Sequence, residues 1–362
     1  LQVLGRSAGG IAKHVAQVTE MLDGTDGLAI DIAGPADLPV TLPKAPIVVD
    51  IPSGPVAGHR AAIRRLRSIY EAGRYDIVHS HGLRAGIDSG WAARSTGTPV
   101  LSTVHNLVRP EIAGRLKAPI YRRAESLSVR MTGKTFAVSH EIATHLRELV
   151  PSQAEKIELL HLGIGDPPVV SANRAEVRAR LGLEESLPLV VSVARLSAQK
   201  SLDVLIRAVA ASTSDPMTVV VGEGPLRDAL ESMSAEIAPG RVAWLGWRDD
   251  AADIVAAADA FCLSSIWEGV PLAAQEAILL GVPVIATDVG GMNELVVDGE
   301  SGRLVPSGDA RALAAALDDV LGSPEKARAF ATRAREQLAI NFSTAAMLAR
   351  LRAAYLETTR VG

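Results

Sequence analysis

The chain is expected to fold as two doubly wound α/β domains, and three features of the sequence point there. Short apolar runs alternate with helical periodicity almost throughout, the pattern of repeated strand–helix–strand units. Its 362 residues exceed one ordinary core and suggest about two domains. Hydrophobic residues make up 48% of the chain but aromatics only 3%. The core must therefore be built from Val, Leu, Ile and Ala, which suits parallel strands covered by helices on both faces.

In the first half the apolar runs predict strands at Leu1–Leu4, Leu28–Ile32, Ile47–Asp50, Ile77–His79, Val100–Val104 and Thr135–Val138. Helices fall between them; Ile11, Val15, Val18 and Leu22 recur at helical spacing just after Gly9-Gly10. The Gly/Pro-rich stretch 161–175 is the best boundary. It divides the chain into domains 1–165 and 166–341, with a closing helix over 342–362 that can cross back to the first domain. In the second half, strands are expected at Leu189–Val193, Met217–Val221, Val242–Leu245, Ala260–Leu263, Val282–Ala286 and Arg303–Val305, with long helices after Asp309. Such halves face each other across a cleft, with ligands at the C-terminal ends of the strands.

Composition limits the partners. The chain has 37 Lys+Arg and 41 Asp+Glu, a net charge of −4. Residues 1–165 carry 19 basic against 15 acidic residues, and the remainder 18 against 26. The basic first half suits a phosphorylated acceptor or an anionic membrane surface; no nucleic-acid partner is expected. Cys262 is the single cysteine, inside an apolar run, so neither a disulfide framework nor a thiolate metal cluster can form. No apolar run approaches the ~20 residues of a membrane span. The expectation is a cytoplasmic protein, any membrane association being peripheral at the inner face of the plasma membrane. The chain opens at Leu1 already inside a strand pattern, which predicts that strand residues precede it.

The richest stretch for chemistry runs from Ser264 to Glu294. Glu268 lies on a turn and Glu276 on the following helix, with Gly269 between them and Gly290-Gly291 beyond. Pro271 fits a first helical turn, and the free amides around Gly269, Val270 and Leu272 beside the positive helix end offer a site for phosphate oxygens. Two carboxylates can accept from sugar hydroxyls, although first-turn glutamates also simply favour the helix dipole. Arg195 and Lys200 lie on one strand-to-helix loop, where a guanidinium fork and a compact ammonium can both meet phosphate. Gly222-Glu223-Gly224-Pro225 permits close backbone approach or forms an ordinary tight turn. Asp249-Asp250 after Gly246-Trp247-Arg248 can cap a helix and lacks the Asp-x-Asp spacing of a metal pair.

In the first half, Gly9-Gly10 opens a helix and can face a phosphate, but it departs from the dinucleotide Gly-x-Gly-x-x-Gly fingerprint, which argues against an NAD oxidoreductase. His79, His81 and His105 fall at strand ends; without carboxylate or cysteine partners they are a poor metal set. Arg60, Arg64 and Arg67 recur along a helix whose other side carries Ile63, Leu66, Ile69 and Tyr70. That pattern describes a solvated surface helix or one lying on an anionic membrane. Arg115, Lys117, Arg122 and Arg123 form a second basic cluster that can hold an acceptor phosphate.

Taken in order, Arg195/Lys200, Gly222-Glu223-Gly224-Pro225, Leu245-Gly246, Glu268 with seven residues to Glu276, Gly290-Gly291-Met292-Asn293-Glu294 and Gly302-Arg303-Leu304-Val305-Pro306 resemble family 4 of the retaining glycosyltransferases. The likeness covers almost the whole chain and is densest over residues 190–306. It implies the GT-B architecture, two Rossmann-like domains, and a metal-independent retaining hexosyltransferase with no cofactor. The donor would be a UDP-sugar or GDP-sugar and the acceptor a hydroxyl of a glycan, cyclitol phosphate or lipid-linked molecule.

By the same resemblance, His105, Arg195, Lys200 and Glu268 are catalytic. The donor is held by Gly9, Gly10, Arg195, Lys200, Gly222, Gly246, Trp247, Glu268, Gly269, Val270, Pro271, Leu272 and Glu276. His81, Ser139, Arg122 and Arg123 are acceptor-side candidates. Two positions depart from the family pattern: Ser201 stands where glycine commonly follows the lysine, and His161-Leu162-Gly163 replaces Pro-Asn-Gly. The alternative is a non-catalytic nucleotide-sugar-binding module on the same fold.

Overall fold

The computed structural model describes residues 1–6, 10–38, 40–52, 54, 57–107 and 118–359. Two compact units account for the chain: unit 1 is Leu1–Gly163 with Phe342–Gly362, and unit 2 is Ile164–Asn341.

Unit 1 runs β1 (Gln2–Leu4), α1 (Gly10–Leu22), β2 (Ile32–Gly34), β3 (Ile47–Val48), α2 (His59–Gly73), β4 (Val78–His81), α3 (Leu83–Ala93), β5 (Val100–Val104), α4 (Ala118–Met131), β6 (Lys134–Ala137), α5 (His140–Leu149) and β7 (Ile157–Leu159). Its seven strands are ordered β3-β2-β1-β4-β5-β6-β7, and every pairing is parallel. The central strands β1, β4 and β5 are buried along their whole length, and β4 carries the polar residues His79, Ser80 and His81 into the interior.

The expected second strand is displaced. Residues 28–30 belong to a turn in which Gly24 donates to the Leu28 carbonyl at 2.9 Å and the Asp23 carboxylate accepts from the Ile30 amide at 2.8 Å. Pairing with β1 starts only at Ile32. Strand β7 was absent from the expectation because it is three residues long with a charge in the middle. Glu158 there is paired with Lys134 at 2.8 Å and also with Arg350.

Unit 2 runs α6 (Arg174–Arg180), β8 (Leu189–Val193), α7 (Leu202–Ala211), β9 (Met217–Val221), α8 (Arg227–Ile237), β10 (Val242–Gly246), α9 (Ala251–Ala256), β11 (Ala260–Leu263), α10 (Leu272–Leu279), β12 (Val284–Thr287), α11 (Met292–Leu295), β13 (Arg303–Val305), α12 (Ala310–Leu321) and α13 (Pro324–Asn341). Its six parallel strands are ordered β10-β9-β8-β11-β12-β13. Strand β12 starts at Val284 rather than Val282: Pro283 has no N–H for the ladder, while Val282 donates to the Ala277 carbonyl and closes α10.

Helix α14 (Thr344–Thr359) belongs to unit 1, where Met347, Leu351 and Tyr355 share a core with Val18, Leu22, Leu101 and Phe136. The opposite face of that sheet is covered by α2 and α3 through Leu66, Ile69, Tyr70, Ala85 and Ala92. Each sheet reverses its strand order once, between β1 and β4 in unit 1 and between β8 and β11 in unit 2. A crevice outside the carboxyl ends of the strands opens at such a reversal, which is where ligands bind in open α/β sheets.

Candidate functional site

In unit 2 two of the sequence-selected residues, Lys200 and Glu268, meet at the β8/β11 reversal. Lys200, in the short turn after β8, reaches Glu268, in the turn after β11: its Nζ lies 2.5 Å from Oε1. Ser265 Oγ donates to the same oxygen at 2.5 Å. Glu268 is buried, and both of these partners meet its Oε1. The two loops are further stitched by Ile266 N–H to the Gln199 carbonyl at 2.8 Å, Gln199 Nε2 to the Trp267 carbonyl at 2.9 Å, and Ser264 Oγ to the Ser201 carbonyl at 2.9 Å. A lysine and a glutamate 68 positions apart are thus held as one rigid, charge-paired unit.

Pro271 does not enter α10. It is the residue before it, with φ −71° and ψ 120°, and no side chain caps the helix. The leading amides, beginning at Leu272, therefore remain open to an anion at the positive end of the helix. Val270 is buried beneath them. Glu276 is half-buried about one turn into α10 rather than two, since the helix begins later than its proline suggested. Gly269 accepts from the Gly291 amide at 2.6 Å, and Gly290, at φ +61°, lies against the Glu268 backbone.

Arg195 is exposed two residues beyond β8, and its guanidinium is unpaired among the described residues. Gly222, at φ +133°, crosses the Ala194 carbonyl so closely that a Cβ would sit 2.1 Å from the oxygen. Gly222 N–H donates to the Gly246 carbonyl at 2.8 Å. The ends of β8, β9 and β10 are thereby drawn together, and Trp247 follows, 62% exposed.

In unit 1, β4 and β5 carry His79, His81 and His105 into a buried polar cluster. His81 Nδ1 lies 3.2 Å from His105 Nε2, and His81 Nε2 lies 2.7 Å from Gln2 Oε1. His79 meets the Tyr355 hydroxyl and Thr103 Oγ1, each at 2.7 Å. Burial, reinforced by neighbouring imidazoles, pulls His81 and His105 well below the ordinary histidine pKa and His79 to about 3.

His14, on α1, packs edge-on against both His81 and His105 with ring centroids 5.5 Å away; burial brings it to about 4. Among the described residues neither of its ring nitrogens has a hydrogen-bond partner. Among the described residues these four histidines form no group close enough to hold a metal ion.

Gly10 is the first residue of α1, whereas Gly9, Arg115 and Lys117 lie outside the described residues. Ser139 is fully buried, and its Oγ accepts from the Ile142 amide at 3.3 Å, capping α5. Arg122 and Arg123 are exposed on α4. Arg60 and Arg64 are exposed on α2, while Arg67 is half-buried.

Reading the sequence missed Ser265, Gln2, His14 and Tyr355. His14 carried a usable signal, since it stands beside Val15 and Val18 on the apolar side of α1. Ser265 lies three residues before Glu268 within the stretch already singled out, whereas Gln2 and Tyr355 offer no signal because their partners are remote in sequence.

The family model for glycosyl transferases group 1 matches residues 173–337, and that for glycosyltransferase family 4 matches residues 8–165. The D-inositol 3-phosphate glycosyltransferase of Mycolicibacterium vanbaalenii is 31% identical over 358 residues, covering 87% of this chain and 78% of the relative. The protein of the same name from Salinispora tropica is 32% identical over 380 residues, covering 93% and 78%.

Among solved structures, HepE of Anabaena in complex with UDP and glucose superposes with TM-score 0.82 at 20% identity, covering 98% of this chain and 99% of that one. Sucrose-phosphate synthase from Thermosynechococcus elongatus superposes with TM-score 0.80 at 22% identity, covering 100% and 99%. The two parallel sheets and these neighbours identify the two-domain, Rossmann-like GT-B fold.

Proposed function

Because the chain belongs to the group 1, family 4 glycosyltransferases, we propose that it moves a hexosyl unit from a UDP-sugar to a hydroxyl of a phosphorylated cyclitol, with retention at the anomeric carbon. The observation that carries this reading is the Lys200–Glu268 pair beside the uncapped start of α10. The departing diphosphate builds negative charge on the transition state. Lys200, Arg195 and the α10 amides answer that charge electrostatically, without a metal or other cofactor.

The pairing gives Lys200 two tasks. Glu268 holds the ammonium in place, and an arriving phosphate can share it without reorganisation. Glu268 offers Oε2 to a sugar hydroxyl, and Glu276 serves the ribose. The backbone at Gly222 and the Gly246-Trp247 turn approach the nucleotide. His105 acts at the reacting sugar. The choice of UDP rests on the UDP-bound structural neighbour, and the choice of a cyclitol phosphate on the inositol phosphate relatives.

A panel of UDP-, GDP- and ADP-sugars tested by thermal shift addresses the donor. A ligand at 100 times its Kd stabilises by about 2.7 kcal/mol, so UDP-sugars should stand out. Arg195→Ala should lower transfer turnover by ~10²–10³, the typical cost of one oxyanion-stabilising donor. A melting temperature indifferent to every nucleotide sugar would overturn the donor site. Binding without transfer to inositol phosphate or any other hydroxyl acceptor would favour the non-catalytic module.

A second reading concerns membranes. In unit 1, α2 packs on α3 and α3 on α4. The outer surface of these helices presents Arg60, Arg64, Arg94, Arg122 and Arg123 together with exposed Trp91 and Ile120. Such a basic surface with apolar tips suits peripheral contact with anionic lipid at the cytoplasmic face. Among the described residues, no helix is long and apolar enough to cross a membrane.

A further inference from the structure

The histidine cluster of unit 1 contains a hydrogen-bond chain with a direction. A neutral imidazole has one N–H and one lone pair, so each ring that donates on one side must accept on the other. The rings here are neutral, being buried and surrounded by one another. The Tyr355 hydroxyl lies 3.0 Å from Gln2 Nε2, Gln2 Oε1 lies 2.7 Å from His81 Nε2, and His81 Nδ1 lies 3.2 Å from His105 Nε2.

The Gln2 amide is the one group in this chain whose two ends differ permanently, oxygen accepting and nitrogen donating. With its oxygen toward His81, the proton of His81 must sit on Nε2 and its Nδ1 must accept. His105 then has to donate from Nε2, and its Nδ1 is left with a lone pair. At the other end the Gln2 nitrogen donates to Tyr355. The Tyr355 hydroxyl then donates to His79 Nδ1, and His79 Nε2–H donates to Thr103 Oγ1. Reversing the amide would reverse every proton in the chain, because each member has exactly one complementary alternative. His14, with both nitrogens unpartnered among the described residues, does not compete for any of these bonds.

We propose that Gln2 and Tyr355 are positioning residues that set the tautomer of His105 through His81, holding its proton on Nε2 and leaving Nδ1 as the one nitrogen able to accept from a ligand. The group that meets His105 must then be a hydrogen-bond donor, a sugar hydroxyl rather than a phosphate oxygen. This consequence for substrate rests on the role of His105 in the function proposed above. The tautomer itself does not.

Long-range ¹H–¹⁵N correlation spectra of the full chain labelled with ¹⁵N-histidine read the tautomers directly. The wild type should show His105 protonated exclusively at Nε2, with a through-hydrogen-bond N–N coupling to His81 Nδ1. In Gln2→Met and Tyr355→Phe the His105 ring shifts should move toward averaged values and the coupling should weaken. A wild-type His105 carrying its proton on Nδ1 overturns the proposal even if neither variant folds. So do unchanged His105 shifts in both variants.

UDP release from the UDP-sugar giving the largest thermal shift supplies the kinetic arm. In Tyr355→Phe, kcat should fall severalfold, in proportion to the lost tautomer population, with the donor KM retained. An unchanged kcat despite altered shifts removes the consequence for substrate. If wild type releases no UDP, the proposed function fails while the tautomer result stands.

Discussion

At the scale of single residues, the partners of a titratable group often decide its charge before any acidity is considered. His59 shows this away from the candidate site. Its Nδ1 lies 2.8 Å from Asp88 Oδ2, and its Nε2 lies 2.8 Å from the Gly54 carbonyl. The carbonyl and the carboxylate can both accept from the ring, and together they favour its doubly protonated form. Burial alone would lower its pKa, and Arg84 acts in the same direction. The Gly54 carbonyl and the Asp88 carboxylate outweigh them and hold it above the ordinary 6.5.

A histidine whose folded pKa is raised contributes stability that is complete below its unfolded value and is lost as pH rises through the folded value. The difference in urea stability between wild type and His59→Gln should therefore be largest near pH ~6 and shrink toward pH ~9. A difference independent of pH would show that the pair carries no net charge coupling. None of this was legible beforehand, because Asp88 sits 29 positions away on another helix.

At the scale of elements, glycine marks where two loops of unit 2 must pass within contact. An added Cβ at Gly290 would lie 1.7 Å from the Glu268 carbonyl oxygen, at a residue whose φ is +61°. Gly299 has a comparable φ of +73° but open space around it. Gly299→Ala should cost only the left-handed strain, about 1–2 kcal/mol. Gly290→Ala should cost clearly more by urea denaturation, and it should also abolish the UDP-sugar thermal shift by displacing Glu268. Equal costs at the two positions would mean that the loops are not in contact.

Most elements were legible because buried parallel strands write themselves as uninterrupted Val/Ile/Leu runs; β8, β9, β11 and β13 match expectation residue for residue. The misplacements have local causes that hydropathy does not register. Apolar residues 28–30 were claimed by a turn, Pro283 withheld an N–H from β12, and Pro271 halted just outside α10. Gly290-Gly291 could be recognised as a motif, but the backbone it had to clear could not.

At the scale of the molecule, the surface of unit 1 holds the remaining test. If α2, α3 and α4 form a membrane-facing surface, liposomes rich in anionic lipid should float the wild type. A variant with Arg60, Arg64 and Arg67 replaced by alanine should bind less, and Trp91→Ala should weaken binding further. Most of the attraction should vanish at high salt, since exposed charges are screened within about 10 Å at 0.1 M. Unchanged flotation of the triple variant would assign these arginines to ordinary solvation.

The amino-acid sequence by itself determined the fold class, the two families of strands and the identity of the cations and carboxylates that define the family. These are properties of periodicity, composition and ordered motifs, which act over a few residues at a time. Tertiary structure alone decided which of those groups meet. It joined Lys200 to Glu268 across 68 positions and brought Tyr355 of the last helix to Gln2 of the first strand. The physical reason is that hydrogen bonds and ion pairs act over about 3 Å, and only the packing of parallel strands sets distant parts of a chain that close together.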